Sequence, residues 1–113
     1  MTTLADSTAP TSSASALSAY QTSGTFNVAY TANDASGIQN VELWYRKNGG
    51  AWTLYTTATS SPISFTGTGD GTYDFYTRAR DNSAAHNYEA APGSADRTTI
   101  VDTVGPSEID ENL

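Results

Sequence analysis

Hydrophobic and polar residues alternate with a period of two along most of the chain between residues 25 and 101. Such alternation is typical of β-strands that bury one face, because successive side chains of a strand point to opposite sides. The predicted inward positions of the three clearest strands are Phe26, Val28, Tyr30, Val41, Leu43, Tyr45, Tyr73, Phe75, Thr77 and Ala79. No segment has the 3.6-residue period of an amphipathic helix, so we predict an all-β fold.

Turn residues divide this pattern into seven predicted strands. The Asn-Gly-Gly sequence at 48–50 predicts a tight hairpin, since Asn and Gly adopt positive φ at low cost. The returning strand, AWTLYTT, places Trp52 and Tyr55 on opposite faces, so one is expected in the core and the other outside. In the last strand, RTTIVDT, Ile100 is the expected apolar anchor. A weak edge strand at TSSASAL and a short strand at PISFT complete a pattern typical of an antiparallel β-sandwich.

Size, charge and cysteine content narrow the possible functions. The 113 residues suffice for one domain with one modest core. Asp and Glu number 12 against 5 Lys and Arg, and the net charge of −7 argues against binding to nucleic acid or to anionic membranes. Cysteine is absent, which excludes disulfides and thiolate zinc sites. The first residues, MTTLADSTAP, lack the basic and apolar regions of a signal peptide, and we expect Met1 to begin an excised fragment.

Similar linker sequences flank the predicted domain. ADSTAPTS, from Ala5, resembles VDTVGPSE, from Val101, and the two are separated by about 100 residues, the size of one β-sandwich domain. We therefore predict an N-terminal linker at 1–10, a sandwich at 11–103, and at 104–113 a linker into a following repeat or a vector-derived tail. Chance similarity of two Asp-, Thr- and Pro-containing linkers is the alternative.

The order of these elements resembles the fibronectin type III and bacterial immunoglobulin-like repeats of extracellular multidomain proteins. The resemblance rests on YTANDASGIQNVELWYRKNGGAWTLY and DGTYDFYTRARDN, and it implies a seven-stranded antiparallel sandwich. Tyr30 stands where the family usually has a buried Trp, and Ile38 would close one end of the core. Tyr73, just after Gly-Asp-Gly, would be the tyrosine corner, whose hydroxyl reaches back to a main-chain carbonyl. Thr77 departs from the family, which usually has an apolar residue there.

The resemblance implies a non-catalytic repeat that spaces other domains of a secreted or cell-surface protein. Its expected partners are neighbouring repeats of the same chain, and the module itself is expected to be a monomer. The alternative function is an accessory carbohydrate-binding or adhesion module with a carbohydrate or protein ligand. No nucleic acid, membrane or required cofactor is expected, apart from the calcium considered next.

Oxygen-bearing side chains are expected to gather where the chain enters the predicted sandwich. The candidate calcium ligands are Asp6, Asp34, Asp81, Asn82 and Glu89, with Asn33 nearby. Ca²⁺ takes six to eight oxygen ligands, which several loops together can supply, and such a site would stiffen the junction between repeats. The alternative is that these Asp and Asn side chains cap the backbone of their own turns. Both interpretations remain open from the sequence.

A second candidate site lies on the outward faces of two predicted neighbouring strands. Trp44 and Tyr76 would lie side by side there, flanked by Arg46 and Arg78. Aromatic rings beside hydrogen-bonding groups can stack on a sugar or bind a partner domain. The alternative is cross-strand pairing in which the arginines lie over the rings.

Catalysis is not expected. His86 is the single histidine, and with Asp81 and Ser83 it lies in one short loop, where nothing indicates a second element to orient a triad or a group of oxyanion donors. Lys47 is the only lysine and adjoins a hairpin, whereas an intramolecular Lys–Asn isopeptide bond would need a buried lysine.

Overall fold

The computed structural model describes residues 7–104, and this part of the chain is all-β. Its strands are β1 (Thr11–Ala14), β2 (Tyr20–Gln21), β3 (Thr25–Val28), β4 (Tyr30–Asn33), β5 (Ile38–Lys47), β6 (Thr53–Ala58), β7 (Ile63–Thr66), β8 (Gly71–Asp81) and β9 (Arg97–Val101). In the described range, no helix has the length and apolar character needed to cross a bilayer. Residues 1–6, which include Asp6, and residues 105–113 of the expected linkers at 1–10 and 104–113 lie outside the described residues.

The larger sheet has five strands in the order β2-β9-β8-β5-β6. Its centre is the long antiparallel pair β5 and β8, in which Leu43 is opposite Thr77 and Tyr45 is opposite Phe75. Strand β9 pairs with the first half of β8, from Arg97 opposite Phe75 to Val101 opposite Gly71. The two-residue strand β2 then pairs with β9 in parallel, so this sheet is mixed.

The second layer consists of the pairs β1-β4 and β3-β7. Only Ala29 separates β3 from β4, and the hydrogen bonds around it show that the two are halves of one extended segment. The Gly67 amide donates to Gly24 on the β7 side (2.9 Å), whereas the Ser15 amide donates to Ala29 on the β1 side (2.8 Å). The carbonyl of the even-numbered Gly24 thus points toward β7 and that of the odd-numbered Ala29 toward β1, as in a regular strand, where successive backbone groups point to opposite edges. Strands β1 and β7 therefore flank this segment on its two edges.

The core lies between the two layers. Phe75 of the larger sheet makes edge-to-face contacts with Phe26 of β3 (6.0 Å between ring centroids) and with Phe65 of β7 (4.8 Å). The fully or nearly fully buried residues of the core are Ala14, Val28, Leu43, Ile63, Phe65, Tyr73, Phe75 and Val101. Tyr30 is partly buried and packs against this core. Burial raises the pKa of Tyr30. The arrangement is compatible with a β-sandwich.

Within residues 7–104 the structure has nine strands, where the sequence predicted seven antiparallel ones. The predicted second strand, TFNVAYTA, is divided at Ala29 into β3 and β4. The predicted first strand ends early at Ala14, because the chain then leaves β4 and crosses to β9, where it forms the parallel strand β2. A change of partner sheet cannot be detected from alternation, which reports only the local period.

The prediction that Ile100 anchors the last strand is wrong. Ile100 is 37% exposed, whereas Thr99 and Val101 are each 1% exposed. The register decides this, since Thr99 lies opposite the buried Tyr73 and therefore shares its inward face. Ile100 is consequently on the outer face, beside the exposed Tyr20 of β2. Ile38, expected to close the core, is half-buried at the start of β5.

The turns have the geometry that their residues favour. Asn48 and Gly49 both have positive φ, 52° and 72°, in the hairpin between β5 and β6. The Tyr73 hydroxyl donates to the Gly69 carbonyl at 2.7 Å and accepts the Thr68 amide at 2.8 Å, as expected of a tyrosine corner. A Cβ atom on Gly67 would lie 2.7 Å from the Tyr73 side chain, so this position requires glycine.

Candidate functional site

The chain enters and leaves the fold at opposite ends of β8. On the N-terminal side of the fold, the Thr8 carbonyl accepts a hydrogen bond from the Asn87 side chain (3.3 Å). The same side chain donates to Asp81 at the end of β8 (3.0 Å). On the C-terminal side of the fold, the Thr103 hydroxyl donates at 2.8 Å to Asp70, which directly precedes the start of β8. The 11 residues of β8 therefore separate the two points.

The predicted calcium ligands meet only in part. The turns after β4 and β8 adjoin each other, because the Asn82 amide donates to the Gly37 carbonyl at 3.0 Å. Asp34 accepts the Ser36 amide of its own turn at 2.9 Å, and Asn82 is exposed. Across residues 7–104 there is no group of three or more His, Asp or Glu side chains that could hold a metal ion.

Asp81 is a fully buried carboxylate that organises its own loop. It accepts hydrogen bonds from the Ser83 hydroxyl (2.7 Å) and amide (3.1 Å), and from the Asn87 amide (2.9 Å) and side chain (3.0 Å). Burial alone would raise the pKa of Asp81, but the hydrogen bonds from Ser83 and Asn87 outweigh it and lower the pKa. Its oxygens are therefore occupied by donors of the chain, which is the turn-capping role that the sequence left open.

Glu89, another predicted calcium ligand, instead joins β1 to β8. One of its oxygens accepts the Ser12 amide and the other accepts the Ala79 amide, each at 3.0 Å. The second oxygen also accepts the Ser12 hydroxyl. Glu89 thus takes the place of a direct backbone ladder between the two strands.

Asp96 forms a second bridge of this kind between β1 and β8, next to that of Glu89. Its Oδ2 accepts the amides of Ala14 (3.0 Å) and Thr77 (3.2 Å). We call this pair of bridges, Glu89 and Asp96 between β1 and β8, the carboxylate seam. It satisfies backbone donors of β8 that lie beyond Phe75, the last residue of β8 paired with β9, where they would otherwise lack a partner on that edge. Nothing in the sequence near Asp96 indicated this role, because its partners are distant along the chain.

The predicted aromatic site exists as a packed cluster. Trp44 and Tyr76 are cross-strand neighbours whose rings are nearly parallel, 10° apart in orientation and 5.8 Å between centroids. The ring of Trp52 also contacts the ring of Tyr76, edge-on, with 4.5 Å between centroids. We call Trp44, Trp52 and Tyr76 the aromatic face. Tyr76 lies on the outer face with Trp44, as expected, but it is only 5% exposed beside the two tryptophans, so the expectation that its ring is accessible is wrong.

The charged residues around the aromatic face are also internally paired. Arg46 lies over Trp52 at 4.6 Å and forms an ion pair with Asp74 at 2.7 Å. Arg78 lies over the ring of Tyr88 at 3.8 Å. The cross-strand pairing of the alternative interpretation is observed for Trp44 and Tyr76, but the arginines lie over Trp52 and Tyr88 instead of over that pair. Trp52 was the outward aromatic of its strand, and Tyr55 faces the core against Phe65 at 4.6 Å.

Glu42 connects this cluster to the loop after β8. It accepts the Trp44 indole N–H at 2.9 Å and the Tyr88 hydroxyl in a very short hydrogen bond. Burial, together with the hydrogen bond and negative charge of Glu42, raises the pKa of Tyr88 to about 12, against the opposing effect of Arg78 and Arg80. Burial also raises the pKa of Tyr76. The sequence did not indicate the role of Tyr88, because a single tyrosine in a loop carries no periodic signal.

His86, Asp81 and Ser83 do not form a triad. The Asp81 carboxylate bonds Ser83 directly, and the His86 Nδ1 lies 3.4 Å from the Asp81 main-chain carbonyl rather than from its carboxylate. His86 is exposed and has a positive φ of 49°, so it occupies a turn position. Lys47 donates to the Thr68 carbonyl at 2.8 Å.

Comparison with known proteins gives no relative from which a role can be transferred, since no family model, curated protein or solved structure matches the chain.

Proposed function

We propose that the chain is a non-catalytic spacer module with immunoglobulin-like or fibronectin type III-like topology, one of several that separate the domains of a secreted or cell-surface protein. The arrangement of β1 and β7 on either side of β3 and β4, facing a sheet in which β5 and β8 are central, supports that topology. The hydrogen bonds of Tyr73 at the start of β8 support it as well.

The observation that carries the proposal is the position of the two ends of the chain. Thr8 is tied to the end of β8 and Thr103 to the residue before its start. The 11 residues of β8 span about 35 Å at roughly 3.3 Å per residue. Copies joined through these ends would follow one another lengthwise, which is what a spacer requires.

The occupancy of the polar groups agrees with a structural role. In residues 7–104, no buried side-chain nitrogen or oxygen lacks a hydrogen-bond partner. Asp81, Glu89 and Asp96 all bind backbone amides of the chain itself. A catalytic carboxylate usually has an oxygen available to a substrate, whereas the oxygens of these three carboxylates accept hydrogen bonds from the chain itself.

The accessory carbohydrate-binding module remains the alternative function, but the aromatic face gives it little support. The rings of this face are largely engaged with the chain itself, since Tyr76 is covered by Trp44 and Trp52 and Arg46 lies over Trp52. The indole N–H of Trp44 is already bound to Glu42.

Small-angle X-ray scattering of chains with one, two and three head-to-tail copies tests the spacer role. We expect the maximum dimension to increase by about 35–40 Å with each added copy, from the length of β8 and its loops. An increase of less than about half that value per copy, given the same strand length, would show that copies pack side by side and would refute the proposal.

A further inference from the structure

The two similar linker sequences include the residues that tie the chain to its fold at either end. Identical residues recur at a spacing of 96 positions, namely Asp6 with Asp102 and Pro10 with Pro106. In this alignment the segment 101–104 takes the place of the segment 5–8 of a following copy. The end of one copy and the beginning of the next would therefore be the same short stretch of chain.

The segment that leaves the fold is fixed by hydrogen bonds as far as Val104. The Asp102 amide donates to the Gln21 carbonyl at 2.9 Å. The Thr103 amide and hydroxyl both donate to the Asp70 carboxylate, at 3.2 and 2.8 Å. Two bonds to one side chain fix the orientation of Thr103 as well as its position. The Asp102 carboxylate accepts the Val104 amide at 3.2 Å, which sets the direction of the next peptide. We call the bonds between Asp70 and Thr103 the exit anchor.

The segment that enters the fold is fixed from Thr8 onward. The Thr8 carbonyl accepts the Asn87 side chain at 3.3 Å, and that side chain is held in turn by Asp81 at 3.0 Å. Two residues later, Pro10 is fully buried. We call the bond between Asn87 and the residue 8 carbonyl the entry anchor. Because it uses a main-chain oxygen, it does not depend on the side chain at this position, and Val104 of a preceding copy can form it equally well.

The two anchors fall on consecutive residues when the end of one copy is the beginning of the next. Thr103 is then bound to Asp70 of the copy that it leaves, and the carbonyl of Val104 to Asn87 of the copy that it enters. Consecutive Cα atoms are about 3.8 Å apart, so no unrestrained residue separates the anchors. A flexible linker needs several such residues. We propose that successive copies are joined without a hinge, in one fixed relative orientation, by the exit anchor of one copy and the entry anchor of the next.

The anchored residues lie where a second copy can approach. Thr8, Thr103 and Val104 are all exposed, and Val104 is 65% exposed. The anchors lie at opposite ends of β8, so the contact is head-to-tail and can repeat along a chain. The inference rests on the proposed function, because only a chain of several copies contains such a junction. It adds the partner of each end and the rigidity of the join.

The distance between two spin labels tests the proposal in a chain of two copies, in which Val104 of the first copy is followed by Ala9 of the second. The protein has no cysteine, so Thr57→Cys in each copy, on the exposed side of β6, attaches a label at these two positions alone. We expect one narrow distribution of distances. Its width should equal that of a label pair at Thr31→Cys and Thr57→Cys inside a single copy, which measures the contribution of the labels themselves.

The same two substitutions, exchanged between the copies, provide the variant and its matched control. Asp70→Ala in the first copy with Asn87→Ala in the second removes both anchors at the junction. Asn87→Ala in the first copy with Asp70→Ala in the second has the same composition and the same losses within each fold, but leaves the junction intact. We expect the first chain to broaden the distribution by at least about twofold, because each released residue regains its two soft backbone dihedrals. The second chain should leave the width unchanged.

Three outcomes would overturn the proposal. A broad distribution in the unaltered chain, with a mean distance of about 35 Å or more, would show a flexible join while the spacer role stands. Equal widths in the two substituted chains would show that the anchors do not hold the junction. A mean distance below about half of 35 Å would refute the spacer role and this proposal with it. Thermal unfolding of both substituted chains verifies that each copy retains its fold.

Discussion

Glu89 and Asp96 both bridge β1 and β8, yet amide substitutions at the two positions should differ in their effect on stability. Glu89 uses both oxygens, one for the Ser12 amide and one for the Ala79 amide. In Glu89→Gln one of those oxygens becomes an NH₂ group, whichever way the side chain is turned. A backbone N–H then faces another donor and loses its partner.

Asp96 holds its two backbone partners differently. A single oxygen, Oδ2, accepts both Ala14 and Thr77. In Asp96→Asn the amide oxygen can take that place and retain both bonds, so mainly the strengthening effect of the negative charge is lost. Each substitution removes one negative charge and replaces one carboxylate oxygen with an NH₂ group, so each variant is the control for the other.

The expected magnitudes follow from the cost of unsatisfied donors. Leaving a backbone N–H without a partner costs about 1–3 kcal/mol, and bonds to a charged acceptor are stronger than neutral ones, so we expect Glu89→Gln to cost about 2–3 kcal/mol. We expect Asp96→Asn to cost about 1 kcal/mol. For a domain of this size, each 1 kcal/mol lowers the melting temperature by about 4–8 °C.

Urea unfolding at neutral pH, with the slope against denaturant compared among variants, measures these differences. Asp34→Asn is the control, because Asn serves equally well in the turn where Asp34 accepts the Ser36 amide. Equal destabilisation by Glu89→Gln and Asp96→Asn, or a Glu89→Gln variant as stable as wild type, would refute the assignment of bonds in the carboxylate seam.

Four further predictions concern single residues. Phe75→Ala should cost about 3–5 kcal/mol in chemical denaturation and Ile100→Ala less than about 1 kcal/mol, and the reverse order would show that the last strand is inverted. The folded pKa of Asp81 is lowered from its ordinary 3.8, so its stabilisation is present above that pH and is lost on acidification below it; the stability difference between wild type and Asp81→Asn should shrink there, and a constant difference would contradict the shift. Tyr88 should ionise at a pKa of about 12 in ultraviolet titration, and Tyr88→Phe should reduce the late component, to which Tyr30 and Tyr76 also contribute, whereas an unchanged titration curve would contradict the contact with Glu42. Millimolar Ca²⁺ should leave the melting temperature unchanged, since chain donors occupy Asp81, and a clear rise would indicate a site that uses other oxygens.

Alternation predicted which side of each long strand faces inward. Val28, Leu43 and Phe75 are all fully buried, as expected from their places in the pattern. These strands contain several apolar residues in phase, so a one-residue shift would expose all of them and the register is strongly determined. In RTTIV the two possible faces carry one large apolar residue each, Ile100 or Val101, and only the pairing with β8 decides between them.

The candidate sites were less predictable because their geometry depends on distant contacts. Glu89 was chosen as a calcium ligand for its oxygen atoms, and those atoms are bound to Ser12, 77 residues away. Trp44 and Tyr76 were correctly placed side by side, although β6 and β7 lie between their strands in the chain and the pairing is therefore not that of a hairpin. Whether Tyr76 was accessible depended on Trp52, which directly precedes β6; that strand pairs with β5 rather than with β8, and its pairing contains a bulge that alternation does not reveal.

The carboxylate seam also determines the order in which the parts of the chain can assemble during synthesis. The Ser12 amide can bond Glu89 only after a further 77 residues have been synthesised, and the Ala14 amide can bond Asp96 only after a further 82. The first strand made is therefore among the last to be secured. When identical copies follow one another, the unattached beginning of one copy meets the same acceptors in its neighbour, so a chain of this kind benefits from sequence divergence between adjacent copies.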